Sequence, residues 1–216
     1  MKLEVLRSRS LPIAALALAA LLLLWLAMTP AEAQLGGIIR LVFVHGALVW
    51  VGLATFSAAG VLGAIALVLR RDAWYEGAES AGVAALIIWI AYAVSSMIVT
   101  GLTWGQMIAW NEPRVRATGL ILVAAVVLYG ISRLVGSRDF TSAVNLLLGI
   151  VPWIVVRQAE VIRHPVDPIG SSGSSGMQMY YTLIVLTVGG LAGTLVAWLW
   201  LGKHLRSREN SETRGD

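Results

Sequence analysis

Six long apolar segments constrain the fold of this sequence more than any other feature. Each is close in length to the about 20 residues that cross the hydrocarbon core of a bilayer as a helix. The segments are residues 11–28, 41–69, 82–102, 119–135, 140–156 and 179–201. No long hydrophilic stretch separates them. Residues 1–216 are therefore predicted to form one all-α domain of a polytopic membrane protein, with six transmembrane helices and a polar cytoplasmic tail at residues 203–216.

The first apolar segment has two interpretations. Residues 1–33 combine a basic start, an apolar core and an Ala-Glu-Ala ending, which is the pattern of a cleavable secretory signal. The apolar stretch is longer than the core of most signals, and this favours an uncleaved first helix. Cleavage is the alternative.

The composition excludes a soluble domain of this length. The chain is 58% hydrophobic and 13% charged, with a mean hydropathy of +0.79, so its apolar surface requires a bilayer as solvent. The pI of about 9.9 does not indicate nucleic-acid binding, because the basic residues form short clusters beside apolar runs. The chain has no cysteine, so any metal or redox chemistry must use histidine, carboxylate or methionine.

The basic residues predict the orientation in the membrane. Cytoplasmic loops of membrane proteins carry an excess of lysine and arginine. With the N-terminus in the cytoplasm, five of the 16 basic residues lie on the outer side: Arg40, Arg114, Arg116, Arg157 and Arg163. We therefore expect both termini in the cytoplasm (N-in, C-in) and the protein in the inner, cytoplasmic membrane.

Two of the three histidines are predicted on the outer side. His45 follows the start of the second helix, and His164 lies in the loop after the fifth. His45 is either a core histidine bonded to a carbonyl or a functional residue, and an ionisable group inside a membrane helix favours the second interpretation. Two imidazoles at one membrane level suit the axial positions of a flat metal cofactor. His204, beside Lys203 and Arg206 on the other side, is expected to be a surface residue.

The segment TWGQMIAWNEPRVR, residues 103–116, lies between the third and fourth helices. Trp104 and Trp110 fit either an aromatic belt at the membrane interface or a surface beneath a large planar ligand. The outer arginines fit lipid phosphates or a ligand with carboxylates. Haem combines a flat face, an iron that accepts two imidazoles and two propionates, so it fits the whole set of residues.

The same segment resembles the tryptophan-rich WWD motif of the cytochrome c assembly family, and in particular that of the CcmC-type haem-handling proteins of cytochrome c maturation. The family has WGTWWVWD followed shortly by an arginine, where this chain has WGQMIAWN followed by EPR. Trp104, Gly105 and Trp110 match in place. Arg114 matches after one additional residue.

The resemblance extends over residues 30–201. PAEAQLGGIIRLVFVHGALVW resembles the stretch around the family's first haem-ligating histidine, here His45. The NLLLGIVPWIVV helix and the loop that holds His164 resemble the region of the second ligand. The resemblance implies transiently bound haem b with these two histidines as axial ligands and outer arginines, Arg114 first among them, at its propionates.

The chain departs from the family motif at three positions. Met107 and Ile108 replace the two central tryptophans, and Asn111 replaces the closing aspartate. We expect Glu112 to supply the missing charge one position later. The predicted haem-contacting residues are His45, His164, Trp104, Gly105, Trp110, Asn111, Arg114 and Arg40.

The function that the resemblance implies is haem transfer. Such a protein holds haem at the outer leaflet and passes it to a periplasmic haem chaperone, working with an ABC transporter. The sequence has no G-x-x-x-x-G-K-[ST] motif, so ATP hydrolysis is assigned to a partner. No pair of nucleophile and base was recognised, which indicates a transfer factor and not an enzyme.

Two other functions fit the sequence. A bis-histidine electron-transfer protein would keep its haem bound, and a cofactor-free assembly subunit would use its tryptophans and arginines at the lipid interface alone. The segment IGSSGSSGMQ before the sixth helix is expected to be a flexible tether.

Overall fold

A computed structural model describes residues 2–163, 169–170 and 172–214 of the chain. Six helices dominate this described part, in which no β-strand occurs. Each helix is long and apolar enough to cross a membrane, so the predicted all-α fold with six transmembrane helices is confirmed. The helices are α1 (Leu3–Met28), α2 (Ile39–Leu69), α3 (Asp72–Trp104), α4 (Pro113–Val135), α5 (Arg138–Gln158) and α6 (Ser175–Arg214).

The helices begin and end at residues whose backbone or side-chain properties favour a helix terminus. Gly105 and Gly136 follow α3 and α4 with φ of 69° and 65°, a left-handed conformation that glycine adopts without steric strain. Pro113 opens α4, where a missing N–H removes no helical hydrogen bond. The Ser137 hydroxyl accepts a hydrogen bond from the Phe140 N–H and so caps α5.

Several helices extend beyond their apolar segments. The α3 helix begins at Asp72, well before the apolar stretch that starts at residue 82. Its first turns contain charged residues. The α6 helix begins at Ser175, inside the segment IGSSGSSGMQ that we expected to be a flexible tether. The Ser174 hydroxyl accepts a hydrogen bond from the Met177 N–H at 3.4 Å and caps this start. The same helix runs to Arg214 and includes most of the predicted polar tail.

The two ends of the bundle differ in what connects the helices. The connections at residues 29–38 and 105–112 lie at one end, together with residues 159–163 and 172–174 between α5 and α6, and we call it the Trp104 end. The connections at residues 70–71 and 136–137 lie at the other end, together with the start of α1 and the end of α6. We call this second end the terminal end.

The α2 helix forms the centre of the bundle because small residues let its neighbours approach closely. A Cβ added to Gly60 would lie 3.0 Å from the Cα of Gly149 on α5, so the two backbones are nearly in contact. Beside this crossing the Trp153 indole donates a hydrogen bond to the Ser57 hydroxyl at 2.7 Å. The crossing holds α5 against α2 along their middle.

The first helix is peripheral. None of the α1 residues in its most apolar window is buried, and the helix packs mainly on α6, where Leu18 closely approaches Gly190. Near the terminal end, the Arg7 guanidinium lies 4.9 Å from the centre of the Trp198 ring. The start of α1 therefore contacts the later part of α6.

The prediction of His204 as a plain surface residue is wrong. Its ring stacks on Trp200, and its Nδ1 lies 3.1 Å from the Glu76 carboxylate of α3, which is only 8% exposed. One helical turn away, Glu79 binds both Lys203 of α6 and Arg133 of α4. The histidine belongs to a set of polar contacts that joins three helices, because α3 presents two carboxylates three residues apart on one face.

The orientation stays a prediction, and cysteine labelling tests it because the chain has no cysteine of its own. With N-in and C-in, a cysteine in place of the exposed Ser174 at the Trp104 end reacts with a membrane-impermeant maleimide added outside intact cells. A cysteine in place of the exposed Ser207 in α6 is the control and reacts only after permeabilisation. The opposite pattern would reverse the orientation.

Candidate functional site

His45 lies at the Trp104 end, about two turns after the start of α2. Its ring is half-buried and stacks on Tyr92 of α3, with ring centres 4.8 Å apart and planes inclined by 24°. Its Nδ1 lies 3.2 Å from the hydroxyl oxygen of Ser95. Contacts from a neighbouring helix thus hold the imidazole in one orientation.

The Ser95 hydroxyl oxygen contacts both His45 and the backbone of its own helix. Ser95 donates its single hydroxyl hydrogen to the Tyr92 carbonyl at 2.8 Å, so towards the imidazole its oxygen acts as an acceptor. The tautomer that fits this arrangement has Nδ1 of His45 as the donor and the lone pair of a neutral ring on Nε2. This tautomer is the one in which a histidine binds a metal through Nε2, with the other nitrogen held by a hydrogen bond.

Sequence reasoning missed both Tyr92 and Ser95. They lie three residues apart in IAYAVSSM, so they share one helix face. Polar side chains on one face of an apolar membrane helix are the signal that marks a buried partner surface. Their pairing with His45 could not be read from the sequence, since it depends on how α2 and α3 are aligned.

Trp104 connects α3 with the connection that carries the second predicted ligand. The Arg163 guanidinium lies 5.2 Å from the centre of the Trp104 ring, a cation–π contact. Arg163 directly precedes His164. The predicted ligand His164 itself lies outside the described residues.

The carboxylate of Glu112 is buried beside the connection after α5. Its side chain is 1% exposed, and its two carboxylate oxygens accept hydrogen bonds from the backbone N–H groups of Ile162 and Arg163, each at 3.2 Å. A charged acceptor forms stronger hydrogen bonds than a neutral one. Glu112 therefore anchors the connection after α5 and does not present an exposed charge in place of the missing aspartate.

The turn at residues 105–112 exposes apolar side chains. Trp110 is 64% exposed and Met107 62% exposed, whereas Ala109 between them is fully buried. The Thr100 hydroxyl donates to the Met107 carbonyl at 2.8 Å, so the backbone of the turn is attached to α3. Asn111 is exposed beside Trp110. The turn presents an apolar surface at the end of the bundle, which fits either an aromatic belt or a planar ligand.

Arg114 carries a buried donor without a partner. Its Nε is buried and has no hydrogen-bond partner among the described residues. Its backbone carbonyl accepts a hydrogen bond from Thr118 at 2.9 Å, and the same hydroxyl lies 3.3 Å from the Tyr92 hydroxyl. An unpaired buried donor of a cation is unfavourable, so this residue is suited to bind an anionic group. Through Thr118 it is also linked to the residue on which His45 stacks.

Arg40 has a role within the fold. Its Nε donates to the Thr29 carbonyl at 3.2 Å and a terminal nitrogen donates to the Ala27 carbonyl at 3.5 Å, which satisfies carbonyls at the end of α1. In the same connection Glu32 accepts hydrogen bonds from the backbone N–H groups of Leu35 and Gln34, which lower the pKa of its carboxyl. The connection between α1 and α2 is therefore stabilised by its own charged side chains.

Within the described ranges no three histidine or carboxylate side chains gather as a metal-ion site. Among the described residues, His45 is the one histidine at the Trp104 end, because His204 lies at the terminal end and His164 is outside those residues. Comparison of the chain with known protein families and with curated protein sequences finds no match. The resemblance to the cytochrome c assembly family rests on the motif residues alone.

Replacing Glu112 tests whether it anchors the connection after α5. In Glu112→Gln one carboxylate oxygen becomes an amide nitrogen, which cannot accept a hydrogen bond. Hydrogen exchange of the Ile162 and Arg163 amides should accelerate about tenfold or more, since a hydrogen bond to a charged group contributes at least about 1.5 kcal/mol. Glu160→Gln, an exposed residue in the same connection, is the matched control. Equal exchange in both variants would contradict the anchor.

Proposed function

We propose that this protein binds haem b at the outer face of the inner membrane and passes it to a periplasmic haem chaperone in cytochrome c biogenesis, working with an ABC transporter. The proposal rests above all on His45. Its imidazole is held in one orientation by the Tyr92 ring and the Ser95 hydroxyl. An imidazole held in one orientation near the end of a membrane helix is suited to bind iron.

The surroundings of His45 favour haem over a bare metal ion. A bare ion needs three or more protein ligands, whereas haem iron needs one or two axial ligands. The same end of the bundle offers the exposed apolar side chains of Trp110 and Met107 for a flat ring. The buried Nε of Arg114 offers a donor for a propionate.

Exchange of the haem is favoured over permanent binding. His45 is on a helix, whereas the predicted second ligand His164 is in a connection between helices. Trp110 is exposed at the end of the bundle and so is accessible to a soluble partner. A haem ligated from one rigid and one loop position can be released when the loop ligand leaves. The haem is cargo in this proposal.

The first test compares substitutions of His45 and of Ser95 with one control each. His45→Ala should lose most of the haem that copurifies with the protein, and His204→Ala should keep it. Ser95→Ala should weaken haem binding about tenfold to a hundredfold, the range for losing a hydrogen bond to a metal-ligating histidine. Ser96→Ala is the matched control on the same helix. Absorption spectra and haem titration in detergent measure all four variants.

The outcomes of this test separate the competing functions. Unchanged spectra in His45→Ala would remove the ligand assignment. A protein that is colourless even with ample haem would favour a cofactor-free assembly subunit. Haem that stays at full occupancy through repeated detergent washing, without a chaperone, would favour a bis-histidine electron carrier.

The second test concerns the exposed tryptophan. Because Met107 and Ile108 stand where the resembled motif has aromatic rings, stacking should depend on Trp104 and Trp110. Trp110→Ala should weaken haem binding about twofold to tenfold, as expected from the roughly 0.5 to 1.5 kcal/mol of an aromatic contact. Trp198→Ala at the terminal end is the control. If Trp110→Ala binds haem as well as its parent, the tryptophan serves the membrane interface.

A further inference from the structure

A cavity of about 480 Å³ lies between α3, α4 and α5 at the terminal end, across the bundle from His45. The α4 residues that line it change in character with depth. Arg133 is nearest the end of the bundle, Tyr129 lies one turn deeper, and Val126 almost one further turn deeper. At 1.5 Å per residue, this gradient from charged to apolar covers about 10 Å along the helix.

The shallow end of the cavity carries an incompletely paired guanidinium. One terminal nitrogen of Arg133 binds Glu79 at 2.9 Å, and the same carboxylate oxygen also binds Lys203. One carboxylate therefore neutralises only one of two cations. The Arg133 side chain is 70% exposed, and Glu79 is its one hydrogen-bonding or ionic partner among the described residues. Its remaining N–H groups can bind an anion. Arg138 lines the same end and is paired with Asp72.

The deep end is apolar and the middle has intermediate polarity. Val83 and Leu86 of α3 face Val126 across the cavity. Between the two ends, the Tyr129 hydroxyl donates a hydrogen bond to the side-chain Oδ1 of Asn145 at 2.8 Å. Asn145 is fully buried, and its amide nitrogen has no hydrogen-bond partner in the described part of the chain. Asn145 does not itself line the cavity, so Tyr129 supplies the intermediate polarity of its wall.

We infer that this cavity binds one glycerophospholipid of the adjacent leaflet. The lipid phosphate pairs with Arg133, the glycerol esters lie at the level of Tyr129, and an acyl chain occupies the space between Val83 and Val126. A soluble phosphate compound matches only the charged end, and a plain hydrocarbon matches only the deep end. A phospholipid matches both, because its own polarity changes over the same distance. The site is independent of the proposed haem binding at the other end.

A steric variant tests the occupancy of the cavity. Gly130 lines it, and a Cβ added there meets no atom within 4 Å, so Gly130→Phe can fill the space without a backbone clash. Gly119→Phe is the matched control, since Gly119 is on the same helix, has the same open surroundings and does not line the cavity. Native mass spectrometry of the full chain in detergent, titrated with phosphatidylglycerol, should show retained binding in Gly119→Phe and at least about tenfold weaker binding in Gly130→Phe. Equal binding by the two variants would overturn the site.

A second experiment tests the headgroup contact. Arg133→Ala should weaken phosphatidylglycerol binding about tenfold, as expected for a charge-assisted hydrogen bond. Arg206→Ala, an exposed cation of α6 outside the cavity, should leave binding unchanged. Diacylglycerol with the same chains should bind the parent protein about tenfold more weakly, and inorganic phosphate should not displace the phospholipid. Equal affinity for diacylglycerol, or displacement by phosphate alone, would contradict recognition of an intact phospholipid.

Discussion

Hydrocarbon offers no hydrogen-bond partner to a peptide backbone, and the rest of this structure depends on that constraint. Every spanning segment must satisfy its own N–H and C=O groups, so each becomes a helix. Hydroxyl side chains in these helices also find a hydrogen-bond acceptor within their own helix. Thr55, Ser80 and Thr187 each donate to the carbonyl four residues earlier. Among the described residues, most polar contacts between helices therefore involve a side chain that has no hydrogen-bond partner within its own helix.

The interhelical contacts differ between the two ends of the bundle. At the terminal end, Glu76 and Glu79 of α3 form contacts with basic side chains of α4 and α6, and these contacts join the three helices. At the Trp104 end, Glu112 and Trp104 instead hold the connection after α5. The first arrangement joins helices to each other, and the second holds the connection after α5 near the end of α3 and the start of α4.

The helices were largely predictable, and the partners of the site residues were not. Segment length and hydropathy identified all six spans, because the thickness of the bilayer sets the length of each. The same reasoning marked His45 as costly to place in a membrane. It did not find Ser95, whose importance depends on the alignment of α2 with α3. It also did not find that the Glu112 carboxylate is buried against the backbone of a connection about 50 residues later in the chain.

The sequence by itself determined that this protein has six membrane helices. The length of each apolar segment matches the thickness of the bilayer, and each segment must form its backbone hydrogen bonds within itself. Only the tertiary structure decided which groups meet. The close approach of Gly60 and Gly149 sets the position of α5, and the packing of α3 on α2 brings Ser95 to His45. Such pairings arise from packing between segments far apart in the chain, where one rotation of a helix changes every partner. A linear pattern of residues does not encode that rotation in any local signal.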